Sequence, residues 1–366
     1  MRRGNMAEKA KLQEVLATVI DPLLERPLGD LGMVGDVDRR RLGTDRVTLR
    51  LPVPNYPVTG ELESRLTTTL EAHGLSADLE FEIMDDAQRS ELMGRLRSES
   101  TAGIGETGSR TRTVAISSGK GGVGKSSVTS NLALALRELG HTVGVIDADI
   151  WGFSLPRMFG ANHPPVVIDE SIIPPVAHGV KVMSMDFFVG EDKAVVWRGP
   201  MLHKAIEQFL KDVFWDDPDF ILVDMPPGTG DVSISLSQFL PRAQVVVVTT
   251  PQPTAQRVAR RAALMAREVD QEVIGVVENM SWFTGDDGKR YEIFGAGGGQ
   301  SLADDLGVDL LASIPLLPAM RQGADVGEPV SVAAPGSEVE RAFVQLAEAV
   351  VARRPRIRTH PDLVIR

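Results

Sequence analysis

The stretch SSGKGGVGKSS, residues 117–127, decides the fold of this chain. Within it, GKGGVGKS at 119–126 matches the pattern G-x-x-x-x-G-K-[ST], which forms a loop that binds phosphate groups. The apolar segment TVAISS precedes the loop and the helical pattern SSVTSNLALALREL follows it, so the loop joins a strand to a helix as the motif requires. The sequence therefore predicts a P-loop that binds a nucleotide.

The residue types of the loop indicate how it would hold its ligand. Glycines let backbone N–H groups converge on phosphate oxygens, and the helix N-terminus adds partial positive charge. Lys125 is predicted to reach the β and γ phosphates, and the Ser126 hydroxyl is predicted to hold Mg²⁺. The predicted nucleotide-binding residues of the loop are Gly119, Lys120, Gly121, Gly122, Val123, Gly124, Lys125, Ser126 and Ser127.

Short apolar runs alternate with helical segments from residue 113 onward, which is typical of a parallel sheet covered by helices on both faces. The predicted strands are TVAISS, TVGVIDAD, VKVMSM, FILVDM, AQVVVVTT, EVIGVVENM and LLASIPL. The predicted fold class is α/β: a doubly wound, mostly parallel sheet forms a P-loop NTPase domain, and a small α+β domain precedes it.

The sequence pattern divides the chain into four parts. Residues 7–98 predict the small α+β domain, with a first helix over KLQEVLATVIDPLLE, a turn-rich stretch DLGMVGDVDRRRLGTDR, and strands at VTLRLPV and ADLEFEIM. Residues 99–110, ESTAGIGETGSR, are small and polar and predict a linker. Residues 111–354 are the predicted P-loop domain, and residues 355–366 are a tail.

Composition excludes several classes of protein. A hydrophobic fraction of 43% and a charged fraction of 24% are those of an ordinary soluble globular protein. The net charge of −11 argues against broad binding to nucleic acid, and no apolar run is long enough to span a bilayer. The N-terminal MRRGNMAEKAKLQE lacks the apolar region of a secretory signal. We therefore expect a cytoplasmic protein that does not contact membranes.

Two further predicted strands end in carboxylates. VIDADIWG, residues 145–152, places Asp147 and Asp149 two positions apart, so both lie on the same side of the strand end. FILVDMPPGTGD, residues 220–231, ends its strand in Asp224. Ligands of doubly wound folds bind at this carboxyl edge of the sheet. A helix cap or a turn is the alternative role for Asp147 and Asp149.

Lys120 is a second lysine in a loop that needs only one. The pattern K-G-G-x-G-K-S resembles the deviant Walker A motif of the SIMIBI-class ATPases, which include MinD, ParA and the nitrogenase iron protein. The resemblance implies that Lys120 reaches the partner's phosphates across a nucleotide-sandwich dimer and that Asp149 orients the attacking water. Lys120, Lys125 and Asp149 are then the catalytic residues, and Ser126, Asp147 and Asp224 are the metal-binding ones. A solvated loop charge is the alternative for Lys120.

The segments DADIWGFSLPRMFG, VDMPPGTGDVSISLSQ, TTPQPTA, ENMSWF and DPLLERPLGDLGMV are similar to the Mrp/ApbC family of iron–sulfur cluster carrier ATPases over nearly the whole chain. Trp151 and Phe153 stand where the family usually has Tyr and Pro. The resemblance implies an ATP-hydrolysing homodimer in iron–sulfur cluster assembly or transfer. Its partners would be assembly proteins or apo-protein clients, and its switch II would contain Gly228, Gly230 and Asp231.

The resemblance fails at the cysteines, because this chain has none. Family members continue from ENMS-x-F into a C-x-x-C pair, and two such pairs bridge a [4Fe-4S] cluster between subunits; here residues 284–287 are TGDD. Asn55 and Tyr56 lie where the small domain of relatives keeps a cysteine. Asp286, Asp287 and Glu292 offer hard oxygen atoms, which do not replace thiolates as cluster ligands. We therefore expect any cluster role to depend on cysteines of a partner.

The base of the nucleotide is predicted from a missing motif. Guanine-specific relatives end a strand in N-K-x-D, whereas VVENMS at 276–281 offers Asn279 without that Lys or Asp, which favours ATP over GTP. Asn279 is the first candidate for an adenine contact, and IPLLP at 314–318 is a weaker one. A buried asparagine that satisfies backbone groups is the alternative role for Asn279.

Two other functions stay open at this point. A ParA/MinD-like positioning ATPase would use the same dimer on DNA, a membrane or a protein partner, and Arg257, Arg260, Arg261 and Arg267 cluster on one predicted helix. The net charge of −11 argues against DNA, and the proline after the final helix ERAFVQLAEAVVARR argues against a membrane-binding terminus. A non-catalytic nucleotide-binding adaptor is disfavoured, because both Lys125 and Asp149 are present.

Overall fold

A computed structural model of the chain describes residues 2–38, 44–96, 103–104, 109–149, 152, 154–188, 199–228 and 237–355. The chain forms two compact units. Unit 1 comprises Met1–Glu99, His163–Val176 and Asp212–Asp216, and unit 2 comprises Ser100–Asn162, Ala177–Lys211 and Asp217–Arg366. Two segments that follow the P-loop in sequence, His163–Val176 and Asp212–Asp216, thus fold with the N-terminal part of the chain.

The helices are α1 (Arg2–Ala17), α2 (Leu28–Leu31), α3 (Thr59–Ala72), α4 (Asp86–Leu96), α5 (Lys125–Glu138), α6 (Leu155–Phe159), α7 (Gly199–Lys211), α8 (Pro253–Glu268), α9 (Gly298–Leu306), α10 (Pro318–Val326), α11 (Val330–Ala333) and α12 (Glu338–Ala352). The strands are β1 (Val34–Asp38), β2 (Asp45–Leu51), β3 (Ala77–Ile83), β4 (Arg112–Ser118), β5 (Val143–Asp147), β6 (Val166–Ile168), β7 (Ser171–Ile173), β8 (Val176–Ala177), β9 (Val180–Ser184), β10 (Phe220–Asp224), β11 (Gln244–Thr249), β12 (Glu272–Thr284), β13 (Arg290–Tyr291) and β14 (Asp309–Leu316). Among the helices described, none combines the length and apolarity that a membrane crossing needs.

Unit 1 is built on the sheet β1-β2-β3, in which β1 and β2 are antiparallel and β2 and β3 are parallel. Its helices bury residues at helical spacing, as Leu62, Leu66 and Leu70 of α3 show. The hairpin of β6 and β7 adds Ile168 and Ile173 to the same hydrophobic core. Unit 1 therefore needs a segment that follows the P-loop in sequence.

Two sequence predictions for unit 1 are corrected. The helix predicted over KLQEVLATVIDPLLE ends at Ala17, because Pro22 lacks a backbone N–H and Asp21 forms a local turn instead. Asp21 Oδ1 accepts the backbone N–H groups of Leu23 and Leu24 at 2.9 and 2.8 Å. The stretch predicted to be rich in turns contains a strand that was not predicted, β1, which pairs with β2.

Unit 2 has the predicted doubly wound architecture. Its described strands lie in the order β13-β12-β11-β4-β10-β5-β9-β8, and β14 pairs with β12. The neighbouring strands along β12-β11-β4-β10-β5-β9 are all parallel. Strand β13 pairs with β12 in the antiparallel direction. Asp224 of β10 is in register with Asp147 of β5. The alternation of apolar runs and helical segments thus predicted this sheet correctly, and the carboxyl ends of its strands meet at one edge.

Candidate functional site

The phosphate loop runs from the end of β4 to the start of α5. Gly122 and Gly124 both have a φ of 79°, a left-handed conformation that glycine adopts without strain. A Cβ built on Gly119 would lie within 3.0 Å of the carbonyl carbon of Val258 in α8, whereas a Cβ on Gly121 would meet nothing within 4 Å. The first glycine therefore permits close packing, and the apex of the loop faces open space where phosphates fit.

Lys125 begins α5, and its ammonium group lies among carboxylates. The Nζ atom is 2.6 Å from Oδ2 of Asp224 and 3.6 Å from Oδ2 of Asp149. The Ser126 hydroxyl donates to the same Asp224 oxygen at 2.6 Å, and the Thr129 hydroxyl donates to the other at 2.7 Å. Asp224 therefore holds together the two residues that the sequence assigns to the phosphates and to Mg²⁺.

These donors fit a magnesium ion and a triphosphate. Hydroxyl and carboxylate oxygens are the protein ligands that Mg²⁺ prefers, and Ser126 and Asp224 already share one oxygen-rich position. No group of three or more His, Cys, Asp or Glu side chains that could hold a metal occurs in the described segments. An ion at this place would therefore take its remaining ligands from phosphate oxygens and water, as is usual for Mg²⁺ beside nucleotides.

Asp147 organises the backbone that follows β5. Its Oδ1 atom accepts the N–H of Asp149 at 3.2 Å, and its Oδ2 atom accepts the N–H groups of Ser154 and Leu155 at 3.3 Å each. The Ser184 hydroxyl donates to the same Oδ2 atom at 3.2 Å. These bonds correspond to the turn and cap alternative that the sequence left open, and a contact of Asp147 with Mg²⁺ stays a prediction.

The carboxyl group of Asp147 is fully buried. Burial, followed by repulsion from the Asp224 carboxylate, raises the pKa of Asp147 to about 7, although Lys125 acts in the opposite direction. The site therefore concentrates negative charge around one ammonium group.

The two lysines of the loop have different surroundings. Lys125 is buried and paired with Asp224 and Asp149. Lys120 is half-buried, and its side chain makes no hydrogen bond or ion pair within the described part of the chain. The backbone carbonyl of Lys120 accepts the Ser118 hydroxyl at 3.1 Å, which fixes the start of the loop. The first lysine is thus held at its backbone while its ammonium group stays available.

Asn279 supports the phosphate loop from beneath. It is fully buried, and its Nδ2 atom donates to the carbonyl of Val123 at 2.9 Å while its Oδ1 atom accepts the N–H of Met280 at 3.0 Å. This is the alternative in which a buried asparagine satisfies backbone groups, and its contact with adenine stays a prediction. The second candidate, residues 314–318, covers the end of β14 and the start of α10.

The start of the predicted switch II is tied to the phosphate loop. The N–H of Gly228 donates to the carbonyl of Ser118 at 2.9 Å. Gly230 and Asp231 lie outside the described residues, as do Trp151 and Phe153 beside Asp149.

Sequence reasoning missed Thr129 and Ser184. Thr129 lies four positions after Lys125, so both face the same side of α5, and that spacing could have indicated the contact with Asp224. Ser184 ends β9 in register with Asp147. The rule that strand ends share one edge would have identified it, but a serine at a strand end is too common to be informative alone.

Strand β12 continues past Asn279 to Thr284, and the chain then turns back into β13. We call residues 280–294, which contain the end of β12, the turn and β13, the hairpin. The N–H of Gly285 donates to the carbonyl of Lys289, and that of Gly288 donates to the carbonyl of Gly285, both at 2.9 Å. The TGDD stretch, where the family resemblance implies cysteines, is thus a tight hydrogen-bonded turn.

Charged and aromatic side chains fix one side of the hairpin. The Arg290 guanidinium lies 4.2 Å from the centre of the Trp282 ring and forms an ion pair with Glu338 of α12. Glu338 also accepts from the Trp282 Nε1 atom at 3.4 Å and the Thr284 hydroxyl at 3.3 Å. The hairpin is therefore stabilised by a polar network that needs neither a metal nor a thiolate.

Asp287 is an ionised acceptor at the tip of the hairpin. The N–H of Lys289, followed by the hydroxyl of Tyr291, lowers the pKa of Asp287, and the Tyr291 hydroxyl lies 2.8 Å from its Oδ2 atom. This carboxylate is thus engaged within the hairpin itself.

The sheet, the loop and the carboxylates at its edge define a P-loop nucleotide-binding protein of the ParA and MinD kind. A nucleotide-binding protein from Archaeoglobus fulgidus in complex with ADP superimposes with a TM-score of 0.55 at 33% identity, over 63% of this chain and 91% of that one. The MinD protein of Pyrococcus horikoshii with Mg-ADP gives a TM-score of 0.52 at 24% identity, over 66% and 96%, and supports the fold.

The family is narrower than that class. Residues 109–351 match the ParA family described as "NUBPL iron-transfer P-loop NTPase". The "Iron-sulfur cluster carrier protein" of Mycobacterium leprae is 42% identical over 360 residues, which are 95% of this chain and 94% of that protein. The chain belongs to this iron–sulfur cluster carrier family of ParA-like P-loop NTPases, as the motifs of the sequence predicted, and it does so without a single cysteine.

Proposed function

We propose that the protein is a Mg²⁺-dependent ATPase that works as a nucleotide-sandwich homodimer in iron–sulfur cluster assembly or transfer. The observation that carries this proposal is the network around Asp224, which holds Lys125, Ser126 and Thr129 within hydrogen-bond distance at the open end of the phosphate loop. Family membership supports the cluster-related role, and the intact network supports retained nucleotide chemistry.

The chain's own residues supply the positioning that phosphate transfer to water requires. Lys125 exchanges its ion pair with Asp224 for the β and γ phosphates, which frees the Asp224 carboxylate. Asp149, whose carboxylate lies 3.6 Å from the same ammonium group, then accepts a hydrogen bond from the attacking water and orients it. Ser126 and Asp224 would hold Mg²⁺, which would supply positive charge to offset that of the phosphates.

Lys120 is the residue through which two copies depend on each other. Its ammonium group has no partner in the described part of its own chain, although the neighbouring Lys125 has two. We assign it to the phosphates of the partner copy, where a donated cation stabilises the charge of the transition state.

The cluster-related role is indirect in this protein. Cluster ligation uses thiolates, and the chain has no cysteine, so a partner must supply the cluster ligands. The proposed ATPase would then act on the partner or on the transfer complex rather than on a cluster held in its own dimer.

Two measurements test the proposal. The rate of phosphate release per subunit should rise with protein concentration, as a homodimer requires. The same rate should fall at least a hundredfold in Asp149→Asn, because the attacking water is no longer oriented. Equal turnover in this variant and the parent would disprove the assigned role.

Anaerobic incubation with iron and sulfide should leave the purified protein colourless. A family member that carries the C-x-x-C pair serves as the positive control in the same experiment. A stoichiometric cluster absorbance from this chain alone would overturn the indirect role.

A further inference from the structure

Helix α8 carries a positively charged face, formed by Arg257, Arg260 and Arg261. All three side chains are exposed, and none makes a hydrogen bond or ion pair to any described residue. Arg267 on the same helix differs from these three, because it donates to the carbonyl of Leu306. Unpaired arginines stand out in a protein with a net charge of −11.

The basic face lies beside the phosphate loop. Gly119 packs against the backbone of α8 so closely that a Cβ there would collide with Val258 and Ala259. The buried face of α8 consists of alanines, among them Ala259 and Ala262, so the helix lies tight against the sheet with its arginines outward. Arg257 immediately precedes Val258, and Arg261 lies one turn after Arg257, so both arginines belong to the part of α8 that contacts the loop carrying Lys120.

The hairpin offers two carboxylates at the same edge of the sheet, next to Lys289 and Arg290, which already pair with Asp287 and Glu338. Asp286 and Glu292 are exposed and have no side-chain partner among the described residues. The hairpin starts from Asn279, which bonds to Val123 of the phosphate loop, so it projects from the edge where the nucleotide is expected. The basic face and the two carboxylates of the hairpin therefore belong to one side of unit 2.

Apolar side chains accompany both charged surfaces. Leu264, one turn beyond Arg260 and Arg261, is 38% exposed, and Tyr291 and Ile293 of the hairpin are 47% and 57% exposed. Exposed apolar groups inside a charged patch are typical of interfaces, where they supply buried area while the charges set orientation.

We propose that the basic face of α8 docks on the hairpin of a second copy of this chain. This inference rests on the proposed homodimer and names the contact that holds it together. Two chains of charge −11 repel each other unless their facing surfaces are locally complementary. A two-fold axis supplies this complementarity twice, because α8 of each copy then meets the hairpin of the other.

The contact gives the cysteine-free hairpin a role at the subunit interface. Arg257 and Arg261 would pair with Asp286 and Glu292 of the partner copy, and Leu264 would pack on Ile293 of the partner copy. The ion pairs form only when both chains are present, so nucleotide-driven closure brings Lys120 and the basic face to the partner together.

A charge exchange tests the contact. The dimer dissociation constant is measured by sedimentation of the full chain with a non-hydrolysable ATP analogue and Mg²⁺. Reversing two arginines, Arg257→Glu with Arg261→Glu, should weaken the dimer about tenfold or more, since favourable pairs become repulsive at both symmetric contacts. Reversing the hairpin as well, Asp286→Lys with Glu292→Lys, should restore the dimer to within about threefold of the parent.

Matched controls lie at the opposite end of the sheet. Arg242 and Asp305 are also exposed and have no side-chain partner in the described part, so Arg242→Glu and Asp305→Lys should leave dimerisation unchanged. Circular dichroism melting of every variant confirms that it folds.

The possible results separate the two proposals. A parent that stays monomeric with the analogue contradicts the homodimer and this contact together. A parent that dimerises while the arginine reversal has no effect overturns the contact alone. A weakened dimer that the hairpin reversal fails to restore overturns the pairing of these two surfaces. A further result is that the parent is retained on double-stranded DNA in a salt-dependent way that the arginine reversal abolishes. That result would identify nucleic acid as the ligand of the basic face and would also overturn the contact with the hairpin.

Discussion

The phosphate loop and the hairpin project from the same edge of one sheet, yet they relate to the family in opposite ways. At the loop, Lys125, Ser126 and Asp224 form one hydrogen-bonded network in which Lys125 and Asp224 are buried. At the hairpin, the place of the family's cysteines is a polar turn fixed by Arg290 and Glu338. The residues expected to bind the nucleotide and the position expected to hold a cluster therefore lie on separate elements of this fold.

The two regions also differ in what holds them together. Removing any member of the Asp224 network leaves another buried charge or hydroxyl without its partner, so substitutions there are costly. The hairpin interactions are exposed and individually weak, so the turn accommodates different residues without loss of the fold. A chain can thus lose the cysteines and keep the P-loop site.

Loss of Lys120 should have the largest effect. Lys120→Ala removes the cation proposed to act on the partner's phosphates, and turnover at saturating ATP should fall by about a thousandfold or more. The rate of phosphate release per subunit, taken over a range of protein concentrations, measures this fall in turnover. Arg242→Ala removes an exposed cation at the other end of β11 and should leave turnover unchanged. Equal turnover in Lys120→Ala and the parent would contradict the proposal that Lys120 acts on the phosphates of the partner copy.

Loss of Lys125 should lower the stability of the nucleotide-free protein. Lys125→Ala leaves Asp224 and Asp149 buried without a positive partner, which costs about 3–5 kcal/mol of the free energy of unfolding. Urea unfolding without nucleotide measures this loss. Adding Asp224→Asn should recover part of it, because one uncompensated charge is removed. Unchanged stability in Lys125→Ala would contradict the network.

The Asp147 carboxyl group should make that stability depend on pH. Its pKa is raised from 3.8 to about 7, so the folded state favours the neutral form. The stabilisation is complete below about pH 4 and is lost as the pH rises through 7, at about 1.4 kcal/mol for each unit of pKa difference. The melting temperature of the nucleotide-free protein should therefore fall between about pH 4 and pH 7, and Asp147→Asn should flatten this fall. An equal slope in Asp305→Asn and Asp147→Asn would assign the effect elsewhere.

The smallest effect is expected at the tip of the hairpin. Tyr291→Phe removes the hydroxyl that donates to Asp287, and this bond is exposed to solvent, where a single hydrogen bond contributes little to stability. Stability should change little, and the pKa of Asp287 should rise towards its ordinary value because one donor is lost, which carboxylate NMR titration can follow. A large loss of stability would show that the hairpin is as tightly coupled as the phosphate loop.

Sequence reasoning predicted the parts of this molecule that depend on local pattern. The strand, loop and helix around Lys125 follow from glycine spacing and apolar runs, and the edge position of Asp147 and Asp224 follows from the rule for parallel sheets. Helix α1 was predicted to end too late in the sequence, because the turn at Asp21 forms through side-chain acceptance of backbone N–H groups that periodicity does not encode.

The features that sequence reasoning did not predict depend on contacts between residues far apart in the chain. The bond from Asn279 to Val123 joins residues 156 positions apart, and that between Thr129 and Asp224 spans 95 positions. The composite core of unit 1 was likewise invisible, since Ile168 and Ile173 lie within a segment whose surroundings predict a P-loop domain. No local pattern specifies which distant surface such a hairpin covers.

That composite core has a practical consequence for dissecting the protein. A gene fragment cut at the linker would produce unit 1 without the β6–β7 hairpin, so leucines that the hairpin helps to cover would face water. The complementary fragment would carry Ile168 and Ile173 with nothing to bury them. Truncation at the linker should therefore yield two insoluble products, and deletion phenotypes obtained that way would report misfolding rather than the task of either half.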